Sequence, residues 1–274
     1  MSINFDIVIE SDDYTAEMSA GLETLVGASD ATSHIAHALL LGRVARKLKK
    51  EKSRISQTML GTFQGSYGLN FCIGSEDIEI KQKINDIGHE VFAELTSYFI
   101  NEALYLETNV LSPKAEKILI NLGEDIPEQL VSQLQKSSLH KLHSYSKNFG
   151  KKVKLRYKKN KATQVTLANI DQKSYLSLVP NTDLTKVVID ASITRFNINT
   201  GNGRLYIKGA DGTVAFGFTN KYKEIKHHAK KMFTNNLDKC NGTPNDNWDT
   251  LTLSCTTLRN GNGAIVKYLV QGVE

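Results

Sequence analysis

The chain has 274 residues, of which 40% are hydrophobic and 23% are charged. This composition is that of an ordinary globular protein and excludes a disordered chain, and the length suits one large domain or two ordinary ones. The formal net charge of +5 is too small to indicate nucleic-acid binding by itself.

Cysteine usage and hydropathy predict the cellular compartment of the chain. Cys72, Cys240 and Cys255 are odd in number and form no C-x-x-C pair, which favours reduced thiols, and we expect Cys72 and Cys255 to face a core. Residues 1–10 read as a strand and not as a signal peptide. The longest apolar run, Ala38–Leu41, is far shorter than the ~20 residues that span a bilayer. We therefore expect a cytoplasmic protein with no membrane partner and no cofactor.

Residues 1–149 alternate between strand and helix patterns. Apolar residues at every second position of Ile3–Ile9 predict a strand with one buried face. Apolar residues at three- and four-residue steps after Asp77 predict one long helix. The predicted elements are a strand at Ile3–Ile9, a helix to about Arg46 with an interruption near Gly27, a hairpin of strands Ile55–Phe63 and Ser66–Ile73, a helix at Asp77–Glu107, and helices that begin at Pro113 and Pro127.

The last third of the chain has the element order of a small barrel. Its predicted elements are strands at Lys186–Asn199, Arg204–Lys208 and Thr213–Phe218, a helix at Lys221–Asp238, and strands at Thr250–Leu258 and Ala264–Val270. This order is typical of a five-stranded OB-type barrel, a fold used mostly for binding. Gly150 ends the preceding helix, so we place the domain boundary there. The prediction is an α+β protein: residues 1–149 form an α/β sandwich with a helical extension, and residues 150–274 form a basic connection and an OB-like or SH3-like barrel.

Several residues near the N-terminus resemble a known pattern. They are Met18, Leu22, Leu25 and Gly27 on the first helix, Gly42 before the first basic stretch, and Gly65-Ser66-Tyr67 in the hairpin. With these residues the first 75 positions resemble an uncharacterised bacterial two-domain family that joins a strand, a long helix and a hairpin to a C-terminal five-stranded barrel. The resemblance implies a setting beside phage-defence or mobile-element genes. It carries no catalytic or binding residue over to this chain.

Two basic stretches are candidates for binding phosphate groups. The first runs from Arg43 to Arg54 with only Glu51 opposing it. The second contains no acid, and its predicted phosphate contacts are Lys151, Lys152, Lys154, Arg156, Lys158, Lys159 and Lys161. Tyr157 within it is a candidate for base stacking. The alternative is that both stretches are a solvated helix end and an exposed loop.

The predicted barrel offers a second candidate surface. Val214, Phe216 and Phe218 share the core face of one strand, whereas Arg204, Tyr206 and Lys208 share the outward face of its neighbour. An Arg–Tyr–Lys face suits nucleic-acid stacking, although an ordinary exposed face has the same pattern. The basic helix that follows would extend this surface, and Trp248 is predicted to fill the open end of the barrel.

Other chemistries have weaker signals. Asp30, His34 and His37 would share one helix face and could hold a metal, yet no metal-site signature surrounds them. His140 and His143 are predicted to lie on a solvated helix face. No nucleophile elbow or Walker sequence is present, so no catalytic residue is assigned.

The sequence favours a non-enzymatic binding or adaptor subunit of a bacterial phage-defence or mobile-element system. Its expected partners are DNA or RNA, a neighbouring defence-system protein, or a second copy in a homo-oligomer. Two alternatives stay open: a self-assembling structural or regulatory protein, suggested by the apolar helix at Asp77–Glu107, and a metal-dependent hydrolase or nuclease.

Overall fold

The computed structural model describes residues 2–11, 15–45, 54–63, 67–123, 125–160 and 162–274. The chain divides into two compact units, Met1–Leu178 and Val179–Glu274. No helix in the described ranges combines the length and the apolar character needed to cross a bilayer. The α+β class predicted from sequence is confirmed.

The N-terminal unit is an antiparallel sheet with helices packed on one face. Its strands are β1 (Ser2–Ile9), β2 (Ser56–Phe63), β3 (Tyr67–Gly74), β4 (Val153–Lys158) and β5 (Gln164–Ile170), in the spatial order β2-β3-β1-β4-β5. Its helices are α1 (Met18–Leu41), α2 (Ile78–Ile87), α3 (His89–Ala103), α4 (Pro113–Asn121), α5 (Asp125–Gln133), α6 (Leu139–Leu142), α7 (Ser144–Phe149) and α8 (Gln172–Ser177). A π-helical turn, Leu134–Ser138, joins α5 to α6. The alternation of β1 is confirmed, because Ile3, Phe5 and Ile7 are all buried in the core that these helices cover.

The predicted boundary between residues 149 and 150 differs from the observed division. β4 follows that point, yet it pairs with β1, with Phe5 opposite Tyr157 and Ile9 opposite Val153. β5 then pairs with β4 at the sheet edge. The basic stretch is therefore a strand of the N-terminal sheet and not a connection between domains.

Two helices differ from the predicted pattern at glycines. α1 is continuous through Gly27, and it ends before Gly42, whose φ of 62° is left-handed. The carboxylate of Glu17 caps its first turn. The long helix predicted from Asp77 is two helices, α2 and α3, because Gly88 has a φ of 82° between them.

The C-terminal unit is a closed five-stranded barrel. Its strands are β6 (Asn181–Phe196), β7 (Gly203–Ile207), β8 (Thr213–Phe218), β9 (Leu251–Arg259) and β10 (Ile265–Val273), and α9 (His227–Cys240) lies between β8 and β9 in sequence. The barrel order is β10-β8-β7-β6-β9, with β8 and β10 parallel and the other pairs antiparallel. This is the order of an OB barrel, so the predicted C-terminal fold is confirmed. Its core includes Ile193, Leu205, Phe216 and Phe233.

The thiols divide between core and sheet surface. Cys255 is buried in the barrel core as predicted, and this burial raises the pKa of its thiol to about 12. Cys72 stands opposite Asn4 and Thr58 in the sheet and is only half-buried. It therefore lies on the face away from the helices, which contradicts its predicted core position.

Candidate nucleic-acid interface

Side chains alternate between the two faces of the sheet along β4, and its basic side chains all lie on one face. Val153, Leu155 and Tyr157 are buried against the helices. Lys154, Arg156 and Lys158 therefore point to the other face of the sheet. Tyr157 is 5% exposed and packs edge-on against Phe5, so the prediction that it stacks on a base is wrong.

Most of these cations are already paired within the unit. Arg156 donates two hydrogen bonds, of 2.6 and 3.0 Å, to the carboxylate of Asp6, which is 1% exposed. Lys154 lies 2.6 Å from a carboxylate oxygen of Glu10. Lys158 donates a 2.7 Å hydrogen bond to the side-chain oxygen of Asn70. A phosphate approaching this face would have to compete with these acceptors.

The remaining residues of the stretch flank β4. Lys159 lies 2.6 Å from Glu90, and that contact raises the pKa of the Lys159 amine and lowers the pKa of the Glu90 carboxyl. Lys152 is exposed and Lys151 is half-buried. Lys161 lies outside the described residues, as do residues 46–53 of the first basic stretch.

Two of the three predicted barrel residues, Arg204 and Tyr206, lie on the outward face of β7, because Leu205 between them is fully buried. Lys208 lies in the turn that follows β7. Arg204 is nevertheless only 7% exposed, because its Nε and Nη2 donate 2.7 Å hydrogen bonds to the side-chain and backbone oxygens of Thr213. This arginine joins β7 to β8 and leaves little of its guanidinium for a ligand.

Trp248 forms an aromatic pair with Tyr206. The two rings meet edge to face with centroids 5.6 Å apart, and both side chains are half-exposed. The indole N–H donates a 2.9 Å hydrogen bond to the carbonyl of Thr243, which holds the ring in place. Trp248 therefore lies on the outside of β7, and the prediction that it fills the barrel end is wrong. Lys208 is exposed two residues beyond Tyr206.

A lysine-rich segment lies beside the loop that joins β6 to β7. The ring of Tyr222 packs so closely on Gly201 that a Cβ there would stand 2.3 Å from it. The same ring contacts Phe196, and Lys230 Nζ lies 4.2 Å from its centroid. We define the basic segment by its lysines, which are Lys221, Lys223, Lys226, Lys230 and Lys231.

Charge is unevenly divided between the two units. Residues 179–274 contain twelve Lys and Arg and eight Asp and Glu, so they carry +4 of the net +5. Lys267 adds a cation near the basic segment, because it donates a 2.8 Å hydrogen bond to Asn202 of the β6–β7 loop. Glu224 is the one acid within the basic segment.

The proposed metal ligands of α1 do not form a site. Asp30 accepts a 2.9 Å hydrogen bond from Lys141, and burial lowers the pKa of both His34 and His37. In the part of the chain that the structure describes, no group of three His, Cys, Asp or Glu side chains could hold a metal. The geometry therefore gives no support to a metal-dependent hydrolase.

His143 is fully buried, which contradicts its predicted solvated position. Its Nδ1 lies 2.6 Å from the carbonyl oxygen of Leu139 and its Nε2 lies 2.9 Å from Ser174 Oγ. Since a carbonyl only accepts, Nδ1 carries the proton, and the bare Nε2 shares the serine hydroxyl proton with the carbonyl oxygen of Asp171, 3.0 Å from the same Oγ. Ser174 is itself 3% exposed and caps α8, so this serine–histidine pair is closed to a substrate and stabilises the fold.

We predict a pH dependence of folding from this histidine. Burial lowers the pKa of His143 from 6.5 to about 4, so its contribution is complete above pH 6.5 and is lost as the pH falls towards 4. As the pH falls from 8 to 5, protonation of this residue in the unfolded state should lower the free energy of unfolding by about 2 kcal/mol. Urea unfolding of the wild type and His143→Gln measures it, since the variant should lack that part of the slope. Parallel pH curves for the two proteins would contradict the assignment.

Comparison with known proteins found no family model, no curated protein and no solved structure that matches this chain.

Proposed function

We propose that the C-terminal barrel binds single-stranded nucleic acid and that the chain acts as a non-enzymatic binding subunit. OB barrels bind oligonucleotides on the face of their second and third strands and on the loop between the first and second. In this barrel those parts are β7, β8 and the β6–β7 loop. The observation that carries the proposal is the basic segment, which contains five lysines and packs against that loop through Tyr222.

Electrostatics support phosphate as the group that is bound. Four of the five segment lysines are exposed, and none of the residues between Lys221 and Lys231 except Glu224 is acidic. The segment also includes the start of α9, which has no side-chain cap. Its backbone N–H groups and the positive end of the helix dipole therefore add to the attraction for an anion.

Exposed aromatic surface favours a single strand over a duplex. Tyr206 and Trp248 are both half-exposed on the outside of β7, and Lys208 is exposed beside them. Unpaired bases can stack on such rings, with about 1–3 kcal/mol per base, whereas the bases of a duplex are already stacked on each other. The sequence-predicted contacts on β4 contribute less in this proposal, because Lys154, Arg156 and Lys158 have partners in the sheet.

Titration of labelled oligonucleotides tests the proposal. We expect Lys221→Ser/Lys223→Ser/Lys226→Ser to bind a single strand at least tenfold more weakly than the wild type. The plot of log association constant against log salt concentration has a negative slope, and the magnitude of this slope should decrease by about 2. Each lost phosphate contact on a single strand contributes about 0.7.

A matched variant separates local from global charge. Lys114→Ser/Lys117→Ser/Lys136→Ser removes the same charge from exposed positions of the N-terminal unit. It should leave the affinity within about twofold, because these lysines lie outside the unit that binds the strand in this proposal. Equal losses in both triple variants, or no binding by the wild type at low salt, would refute the proposal.

We propose a phage-defence or mobile-element system as the setting, on the basis of the N-terminal resemblance alone. Within such a system the nucleic-acid-binding chain would serve as an accessory subunit to an enzyme. The identity of the adjacent genes tests this point: a neighbouring ATPase or nuclease supports it, and isolated genes in every genome that carries the chain count against it.

A further inference from the structure

β2 is an edge strand of the N-terminal sheet, and its outer side pairs with no other strand of the described ranges. In the described ranges β2 pairs with β3 and with no other strand, and six of its eight residues are exposed. From Ser56 to Met59 its register with β3 is regular, and the bulge comes only between Met59 and Gly61. The outward N–H and C=O groups of this half are therefore spaced as a further strand requires.

β2 carries little of the protection that edge strands usually have. Its sequence, SQTMLGTF, contains no charged residue and no proline, so the bulge is its single protective feature. The other edge of the sheet differs. At the bulge of β5, the carbonyl of Leu167 accepts hydrogen bonds from Ser97 (2.7 Å) and Asn101 (3.1 Å) of α3. Part of the β5 edge is thus covered by the unit itself.

Both β2 and α1 expose apolar side chains. Met59 and Leu60 are 71% and 57% exposed. On α1, Met18, Leu22 and Val26 follow one another at four-residue steps and are also exposed. Between α1 and β2 lies a cavity of about 100 Å³. Its lining, which we call the β2–α1 groove, comprises Ile7, Leu25, Ala28, Ser29, Gln57, Thr58, Met59, Leu69 and Phe71.

We propose that β2 pairs with β2 of a second copy of this chain, in an antiparallel arrangement about a two-fold axis. An isologous contact places identical residues near each other, which is unfavourable for a charged strand and harmless for an uncharged one. β2 meets this condition along its whole length. Apolar residues of each copy, above all Met59, then cover the β2–α1 groove of the other.

The antiparallel direction follows from symmetry. A two-fold axis perpendicular to the sheet at its β2 edge runs the two copies of the strand in opposite directions.

Light scattering of the full chain without nucleic acid tests this contact. The wild type should have twice the monomer mass of 30.4 kDa. Met59→Lys and Met59→Glu should each raise the dimer dissociation constant tenfold or more, because two like charges then lie close together on either side of the two-fold axis. An equal mixture of the two variants should recover the dimer, because opposite charges then lie at these positions. Val165→Lys, a half-exposed position on the opposite edge strand β5, is the matched control and should remain dimeric.

Recovery of the dimer in the mixture would also show that both single variants are folded. The proposal is overturned if the wild type is a monomer at every concentration reached, if Val165→Lys dissociates as readily as Met59→Lys, or if the mixture stays monomeric. These outcomes are independent of nucleic-acid binding, since no oligonucleotide is present.

Discussion

Arg156→Ala should lower the free energy of unfolding by about 3 kcal/mol, the cost of leaving one member of a buried ion pair without its partner. Asp6 is 1% exposed on β1 and accepts two hydrogen bonds from Arg156, whose side chain is 24% exposed. Removing the arginine leaves a buried carboxylate without its charge partner. Urea unfolding measures the change.

The neighbouring lysine on the same strand face provides the control. Lys154 pairs with Glu10, but both side chains are more than a third exposed, so Lys154→Ala should cost less than about 1 kcal/mol. Adding Asp6→Asn to Arg156→Ala should recover part of the lost stability, because the buried charge is then gone. If Arg156→Ala is no more destabilising than Lys154→Ala, the pair is not structural, and the sequence-based phosphate role of Arg156 regains support.

Gly27→Ala should destabilise the N-terminal unit by about 3 kcal/mol or more. A Cβ at this position of α1 would stand 2.1 Å from the backbone nitrogen and 2.6 Å from the Cα of Leu142. Those atoms belong to the backbone of α6 and cannot rotate away, so the two helices must separate. The free energy of unfolding and the thermal midpoint both measure this effect.

Gly21 of the same helix is the matched control. A Cβ there would meet Ala16 at 3.6 Å, which is ordinary contact distance. Gly21→Ala should therefore stabilise the protein by up to about 1 kcal/mol, through the better helix propensity of alanine. The two substitutions are identical in chemistry and opposite in expected sign. A common sign for both would show that α1 and α6 do not approach as closely as the structure indicates.

The basic residues of β4 show that the residue pattern of a strand does not reveal which acceptors its side chains bind. From the sequence we predicted an exposed, basic connection on the strength of Lys154, Arg156 and Lys158. Their acceptors are distant in sequence: Asp6 lies on β1, Glu10 follows β1 directly, and Asn70 lies on β3, on the far side of β1 from β4. No pattern within residues 151–161 could reveal them. The basic segment of the barrel was visible in the sequence, but its contact with the β6–β7 loop through Tyr222 was not.

Local periodicity was sufficient for elements whose partners follow one another closely. The five barrel strands and their helix were predicted in the observed order, because consecutive hairpins and the turn signals between them lie within about a hundred residues. The buried face of β1 was likewise readable from alternation alone. The predicted helix from Asp77 failed at Gly88, because apolar spacing continues across a glycine whose left-handed backbone ends one helix and starts the next.

The sequence by itself determined the α+β class, the OB order of the C-terminal barrel and the outward face of β7, since these depend on residue spacing and on neighbouring elements. Only the tertiary structure decided that β4 belongs to the N-terminal sheet, that its cations are paired, and that Trp248 meets Tyr206. The physical reason is that strand pairing and ion pairing depend on which distant segments come together. That choice is made by burial of the whole core rather than by any local pattern.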